Sequence, residues 1–256
     1  MTVSVSFARP SWPHLAATPF IALLLTGNAV ADAPLPDNQW HGNVVIGGTY
    51  SSGNTSSATV SATAEGTKAS ATDKVNVSAL VNYGSTDTTN SGRTTTADQA
   101  WLRGRYDYNL SQTVFTFGGA EAETNKLGGI DSRYGLSAGA GYWLLRNDIN
   151  SFDLFAGVGY ADVNYTDDSS ANGFELLFGE ESEHRLGAGT TLKQRFAVRP
   201  GQGELGTHAT FDAALATTIV GSWTLNLGLN VQYNSDVPPG LKTTDTLLTA
   251  GFGYKF

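Results

Sequence analysis

The 256-residue chain contains no cysteine, so neither disulfides nor thiolate chemistry can hold it together or carry a reaction. Bases are scarce beside acids, 15 Lys and Arg against 23 Asp and Glu. The resulting formal charge of -8 argues against nucleic acid as a partner. Histidines number four, which leaves little for acid–base or metal chemistry. Past the N-terminus no run reaches the roughly 20 apolar residues that a membrane-spanning helix needs. Proline is limited to eight positions, whereas glycine reaches 30, a balance that suits strands and tight turns.

The N-terminus says where the chain goes. Arg9 and His14 precede the apolar run FIALLLTGNAV, and NAVADA offers Ala29-Val30-Ala31 or Ala31-Asp32-Ala33 as a small-x-small cleavage site. This pattern predicts a secretory signal peptide over residues 1–31, cleaved after Ala31 or Ala33, since its apolar core is too short to span a bilayer. A short periplasmic segment, 32–39, then leads into a body covering 40–256. Removing the segment that holds Arg9 and no acid takes the charge to -9. The mature chain must leave the membrane or cross it as strands.

Strands are what the pattern shows. In WTLNLGLNVQYN, Trp223 to Asn234, apolar residues occupy every odd position and small or polar ones every even position. SFDLFAGVGYA places Phe152, Leu154, Ala156, Val158 and Tyr160 opposite Asp153, Phe155, Gly157 and Gly159. Between Arg133 and Leu144 the set Tyr134, Leu136, Ala138, Ala140, Tyr142 and Leu144 faces away from Arg133, Ser137 and Trp143. Similar dyads run through VVIGGTY, ATVSATAEG, KVNVSALVNY, AWLRGRYDYNL, THATFDAALATTI and LLTAGFGYKF. Such segments match the about 9 to 11 residues that cross a bilayer as a tilted strand. Charges almost never fall on the apolar set, as expected if hydrocarbon touches it, because a lipid-facing Arg or Lys at the midplane costs roughly 2 to 4 kcal/mol. The predicted fold is all-β, a transmembrane antiparallel β-barrel.

Parity fixes the strand number. With both ends on the periplasmic side the count is even. Six outer loops (YSSGNT, GSTDTTNSGRTTT, EAETNKLGGID, YTDDSSANGFE, RPGQGEL and NSDVPPGLKTTD) alternate with five short turns, near 69–72, 110–112, 146–150, 190–192 and 220–222. That spacing predicts twelve strands, with Glu180 to Arg199 divided near Thr191. The chain ends in GFGYKF, where Phe252, Tyr254 and Phe256 share a face; they are the candidate signal for the outer-membrane assembly machinery.

Following the alternation inward, Arg103, Arg105, Arg133, Arg185, Lys193 and Arg195 are predicted to line the lumen, against Glu65, Asp107, Asp153 and Asp212. The other acids, Asp87, Glu121, Glu123, Asp131, Asp167, Asp168, Glu175, Glu180, Glu181, Glu183 and Asp236, are assigned to loops. On this reading the protein is acidic outside and basic within. A basic constriction favours small anionic solutes. The competing reading is that these charges pair with one another and fill the barrel. The acidic loops suggest divalent-bridged contact with lipopolysaccharide phosphates, or simply solvation. Outer-membrane lipid is the expected surroundings.

Catalysis finds little support. A lipid-cleaving barrel needs a serine beside a histidine, and His41, His184 and His208 lack a distinctive serine motif. An outer-rim protease would draw on Asp167, Asp168 and His184. DTTNSG and TDDSS contain oxygen ligands without the spacing of a known calcium loop, so no metal or cofactor is expected. SSGNT and the PPG of NSDVPPG read as turn chemistry, with Gly53 and Gly240 free to adopt positive φ and Pro238 and Pro239 blocking extension of the ladder. On the face alternation, Leu227→Arg should block assembly while Asn226→Arg should be tolerated.

Three segments carry a resemblance: WHGNVVIGGTYSSGNT (Trp40, Gly42, Gly53, Asn54, Thr55), NSDVPPGLKTTDT (Ser235 to Thr246 at its core) and the aromatic terminus. Together they resemble the YdiY-like, salt-induced outer-membrane protein family, whose domain has no assigned biochemical activity. The resemblance runs from Trp40 to Phe256 and is carried mainly by the two ends; the polar stretches between Glu180 and Gly206 are shorter than the family suggests. It implies an outer-membrane barrel with a structural or envelope role and supplies no catalytic residues.

Overall fold

A computed structural model describes residues 37–51, 55–88 and 92–256. Twelve strands run in chain order: β1 (Trp40–Ser51), β2 (Thr55–Ala69), β3 (Asp73–Thr88), β4 (Gly92–Asn109), β5 (Val114–Asn125) and β6 (Ile130–Arg146). β7 (Asn150–Tyr165), β8 (Ser170–Gly187), β9 (Thr190–Pro200), β10 (Thr207–Val220), β11 (Trp223–Asn234) and β12 (Thr244–Lys255) complete the set. Each strand pairs antiparallel with its chain neighbours, and β1 meets β12 to close the barrel. The predicted fold class and strand number hold. The signal segment and the SSGNT tip lie outside the described residues.

The outward face follows the dyads. Ile46, Leu136, Val158, Phe174, Leu227 and Phe252 all lie exposed on the barrel wall, where a water-soluble fold would bury them. Aromatic pairs mark the two rims. Trp223 and Tyr254 meet edge to face with centroids 5.5 Å apart near the termini, and Tyr160 and Phe174 do the same, also at 5.5 Å, towards the other end. A closed ladder leaves backbone groups paired inside hydrocarbon, which is what a strand needs to cross a membrane. Glu180 departs from the pattern: it sits on the outward set of β8, beside Leu154 of β7 and Phe196 of β9.

Two sequence readings need correction. The strands are 11 to 18 residues long, so the ladder consumes most of what was assigned to outer loops. The loop EAETNKLGGID shrinks to residues 126–129, and YTDDSSANGFE to 166–169. Hydropathy marks only where a strand leaves hydrocarbon, whereas hydrogen bonding continues into water. The β8–β9 turn lies at Ala188 and Gly189, ahead of the expected Thr191, because Gly189 adopts φ +89°, which glycine takes at no steric cost.

Asn226 is also tighter than the alternation alone suggested. Its Oδ1 accepts a 2.8 Å hydrogen bond from Asn43 Nδ2, and its own Nδ2 donates to Thr224 Oγ1 at 2.8 Å. The expectation that Asn226→Arg is tolerated is therefore withdrawn. Ala214, which faces inward on β10 and opens onto lumenal space, is the sound control. Leu227→Arg is expected to reduce insertion into vesicles by an amount matching about 2 to 4 kcal/mol, while Ala214→Arg inserts normally. Gel mobility of unheated samples reads both, and equal tolerance of the two would mean that hydrocarbon does not touch the Leu227 face.

Candidate functional site: a charge-paired lumen beside an open cavity

The lumen has two unlike sides. Against β4 to β9 it is filled by aromatic rings and paired charges around a gap of only about 50 Å³. Phe115, Phe117, Trp143 and Phe155 form a core near the terminal end, joined by Leu177 and Ala197. The chain makes room for them with inward glycines on neighbouring strands. A Cβ on Gly141 would lie 2.1 Å from Phe115 Cζ, and one on Gly179 would lie 2.4 Å from Phe155 Cζ. Each ring therefore lies flat across its neighbour's bare backbone. Phe117 and Phe155 meet at 5.6 Å edge to face, a favoured aromatic geometry.

Arg105 sits over this core. Its guanidinium carbon lies 4.5 Å from the Phe155 ring centre and 4.8 Å from that of Phe117. Arg105 Nε donates to Asp107 Oδ1 at 2.6 Å, and Nη1 donates to Glu181 Oε1 at 2.9 Å. Glu181 also accepts from Arg195 Nε at 2.9 Å. Lys74 adds a contact to Asp107 at 3.3 Å, and Asp153 lies 3.9 Å from Arg105. Burying these charges is tolerable because each meets opposite charge or an aromatic face.

Above lies a four-membered square. Arg133 Nη2 donates to Glu175 Oε2 at 2.6 Å, and Arg199 Nη2 donates to Glu121 Oε2 at 2.8 Å. The remaining edges, Arg133 to Glu121 and Arg199 to Glu175, are 3.5 Å each. Glu123 stands beside it, 3.7 Å from His208 Nε2, while His208 Nδ1 meets Asn234 Oδ1 at 2.5 Å.

Bridges then cross the lumen. Arg103 Nη1 donates to Asp212 Oδ2 at 2.7 Å, joining β4 to β10. Asn230 Nδ2 donates to the other oxygen of Asp212 at 2.5 Å. Lys193 Nζ donates to Glu65 Oε1 at 2.5 Å, joining β9 to β2. Nearer the loop end, Asn125 Nδ2 donates to Gln232 at 3.0 Å and to Asp245 at 2.9 Å. Over that end, turn 126–129 packs against loop 235–243: a Cβ on Gly129 would meet Pro238 Cδ at 2.7 Å and Leu241 Cδ1 at 2.8 Å.

The expectation of a basic lumen is overturned. Glu121, Glu123, Glu175, Glu181 and Glu183, assigned to loops, lie on inward positions of β5 and β8, and Lys74 and Arg199 join the bases. Acids thus at least match bases. Sequence reasoning missed them although parity could have found them, since Glu121 and Glu123 continue the odd-numbered face of Phe115 and Phe117. Arg185 lies on the inward set at the terminal end of β8, opposite Thr191. Asp87, Asp131, Asp167, Asp168 and Asp236 do stay towards the loop end or in loops.

The histidines and loop acids do not assemble into a catalytic group. Asp167 and Asp168 lie at the loop end, whereas His184, hydrogen-bonded through Nδ1 to Asn150 at 2.8 Å, lies at the other. Asp167 accepts from the Ser169 amide at 3.1 Å and from its hydroxyl at 2.5 Å, which holds its carboxyl below the usual range. His41 Nε2 meets Asp37 at 2.8 Å beside the N-terminal strand. Among the described residues no group of three or more His, Asp or Glu is placed to hold a metal ion.

The other side of the lumen, against β1 to β3 and β10 to β12, is open. A cavity of about 370 Å³ lies there, lined by Asn43, Thr63, Asn76, Asn230 and Thr249 together with Val45, Leu80, Trp101 and Leu247. It reaches the terminal ends of the strands at Thr67, Ser151 and Thr191.

A family described as "protein of unknown function, DUF481" matches residues 44–256. The chain belongs to that family. No curated protein matches the DUF481 chain in sequence. Among solved structures it resembles the NanC porin at 9% identity and TM-score 0.49, over 84% of this chain and 100% of that one. It also resembles an outer membrane channel from Pseudomonas putida F1 at 12% identity and TM-score 0.48, over 90% of this chain and 100% of that one. A KdgM porin in complex with disordered oligogalacturonate aligns at 12% identity and TM-score 0.39, over 84% and 99%. Likeness this distant carries nothing about solute or gating.

Proposed function

We propose that this DUF481 protein is an integral barrel of the bacterial outer membrane with an envelope role, held closed to ions by its charge-paired lumen. The carrying observation is the set of bridges spanning the barrel, above all Arg103 to Asp212 and Lys193 to Glu65. An ion entering would have to displace a charge already paired in a confined, partly dry space. The anion-pore alternative rested on an excess of lumenal bases, and that excess is absent. On this reading the short-turn end, where β1 begins and β12 ends, faces the periplasm and the longer loops face outside. Phe252, Tyr254 and Phe256, outward on the last strand, fit the segment that assembly machinery reads, and loop acids such as Asp167 and Asp236 fit contact with lipopolysaccharide through divalent cations. The YdiY-like, salt-induced branch of the family is the assignment favoured by the N-terminal and C-terminal segments.

Planar-bilayer recording tests the closed state. Purified wild-type protein is expected to give no steady current. The double variant Arg103→Ala/Asp212→Ala removes a bridge without leaving either charge unpaired, so it should fold and show openings. Sustained anion-selective current from the wild type would overturn the proposal.

A further inference from the structure

The wall is not uniformly closed. β1 and β2 pair continuously from Trp40↔Lys68 to Ser51↔Ser57, and β11 and β12 pair from Trp223↔Tyr254 to Tyr233↔Thr244. Between β1 and β12 the pairing runs only from the reciprocally bonded backbones of Gly42 and Phe256 to Gly47↔Gly251. Beyond that rung, among the described residues, Gly48 to Ser51 of β1 and the Leu247 to Ala250 stretch of β12 that would face them each keep one partner strand and lack the other. The last closed rung is a glycine pair. A Cβ on Gly47 would lie 2.3 Å from Ala250 O, and one on Gly251 would lie 2.6 Å from Ile46 O. The two backbones approach there as only glycine allows, then part.

Exposure agrees. Tyr50 and Leu248, which would face each other had the ladder continued, are the two most exposed large apolar side chains of the wall, at 78% and 76%. On the inner side of the same parting, Leu247 and Thr249 line the 370 Å³ cavity, as does Val45 just below. The cavity therefore abuts the inner side of the parted seam.

We propose that this seam is a lateral opening through which a membrane lipid places a hydrocarbon chain into the lumenal cavity. Unpaired strand edges are costly inside a bilayer unless something polar meets them or a water-filled cavity backs them. A lipid supplies both needs: its chain fits the apolar patch of Val45, Leu80, Trp101 and Leu247, and its polar linkage reaches the free N–H and C=O groups of the parted edges. Adding a strand from another protein is less suited, since the two described free edges are four residues each, Gly48 to Ser51 and Leu247 to Ala250. The inference does not depend on whether the lumen conducts.

Tryptophan emission tests it. In the full chain carrying Trp12→Phe, Trp40→Phe and Trp223→Phe, only Trp101 and Trp143 remain, both lining the cavity. Reconstitution into phosphatidylcholine vesicles with brominated chains is expected to lower their emission relative to vesicles with unmodified chains. Adding Thr49→Cys and Thr249→Cys to this cysteine-free protein allows a disulfide where the ladder would next pair inward residues, and the loss of emission should disappear on oxidation and return on reduction. Should the bridge not form, Thr249→Phe blocks the opening from within and should relieve the quenching instead. Emission insensitive to bromine overturns the proposal, as does quenching that survives both closures. Because the readout is contact with lipid chains, it separates from the bilayer recording above.

Discussion

Replacing Arg133 with methionine is expected to lower stability by about 3 to 5 kcal/mol, the range seen when one partner of a buried ion pair is removed. Arg133 and Glu175 are both almost wholly buried, at 3% side-chain exposure each, so neither can turn to water for compensation. The square holds two guanidiniums and two carboxylates; without Arg133 it carries a net negative charge, with Glu123 close by to add repulsion. The double variant Arg133→Met/Glu175→Gln restores neutrality and should recover most of the loss. Urea unfolding in lipid vesicles, followed by tryptophan emission, measures both. A single variant as stable as the wild type would mean that water reaches the square and screens it.

Gly141→Val should be comparably damaging for the opposite reason. Its Cβ would enter the Phe115 ring, 2.1 Å from Cζ and 2.6 Å from both Cε atoms. The ring has nowhere to go, being fully buried with Trp143 at 5.4 Å between centroids and Arg105 over its face at 5.2 Å. Overpacking typically costs about 1 to 3 kcal/mol and more where backbone must move. Phe115→Ala is expected to cost about 3 to 5 kcal/mol by leaving a cavity. Combined, Gly141→Val/Phe115→Ala should be less destabilised than the sum of the two, since the added methyls occupy part of the space the ring vacates. Strict additivity would show that ring and glycine do not share that space.

The wall of the barrel was legible in the sequence because hydrocarbon acts on each outward residue separately. Leu225, Leu227 and Leu229 announce their face whatever strand lies beside them, and the same alternation counted through the chain gives twelve crossings. Pairing between Glu180 and Arg199 was harder, because Glu180, Ser182 and His184 place polar residues on the outward set and break the signal.

The lumen follows another rule. Its contacts join residues far apart in the chain: Arg105 reaches Glu181 across 76 positions and Arg103 reaches Asp212 across 109. Which inward residues share a height depends on the register of every strand between them, and no local pattern records that. Glu121 and Glu175 look like loop acids where hydropathy ends, yet the ladder carries them onward and turns them in to meet Arg133 and Arg199. The amino-acid order by itself thus determined which side of each strand meets lipid; only the closed sheet decided which charges neutralise one another and where the wall parts, since both depend on stagger summed around the ring.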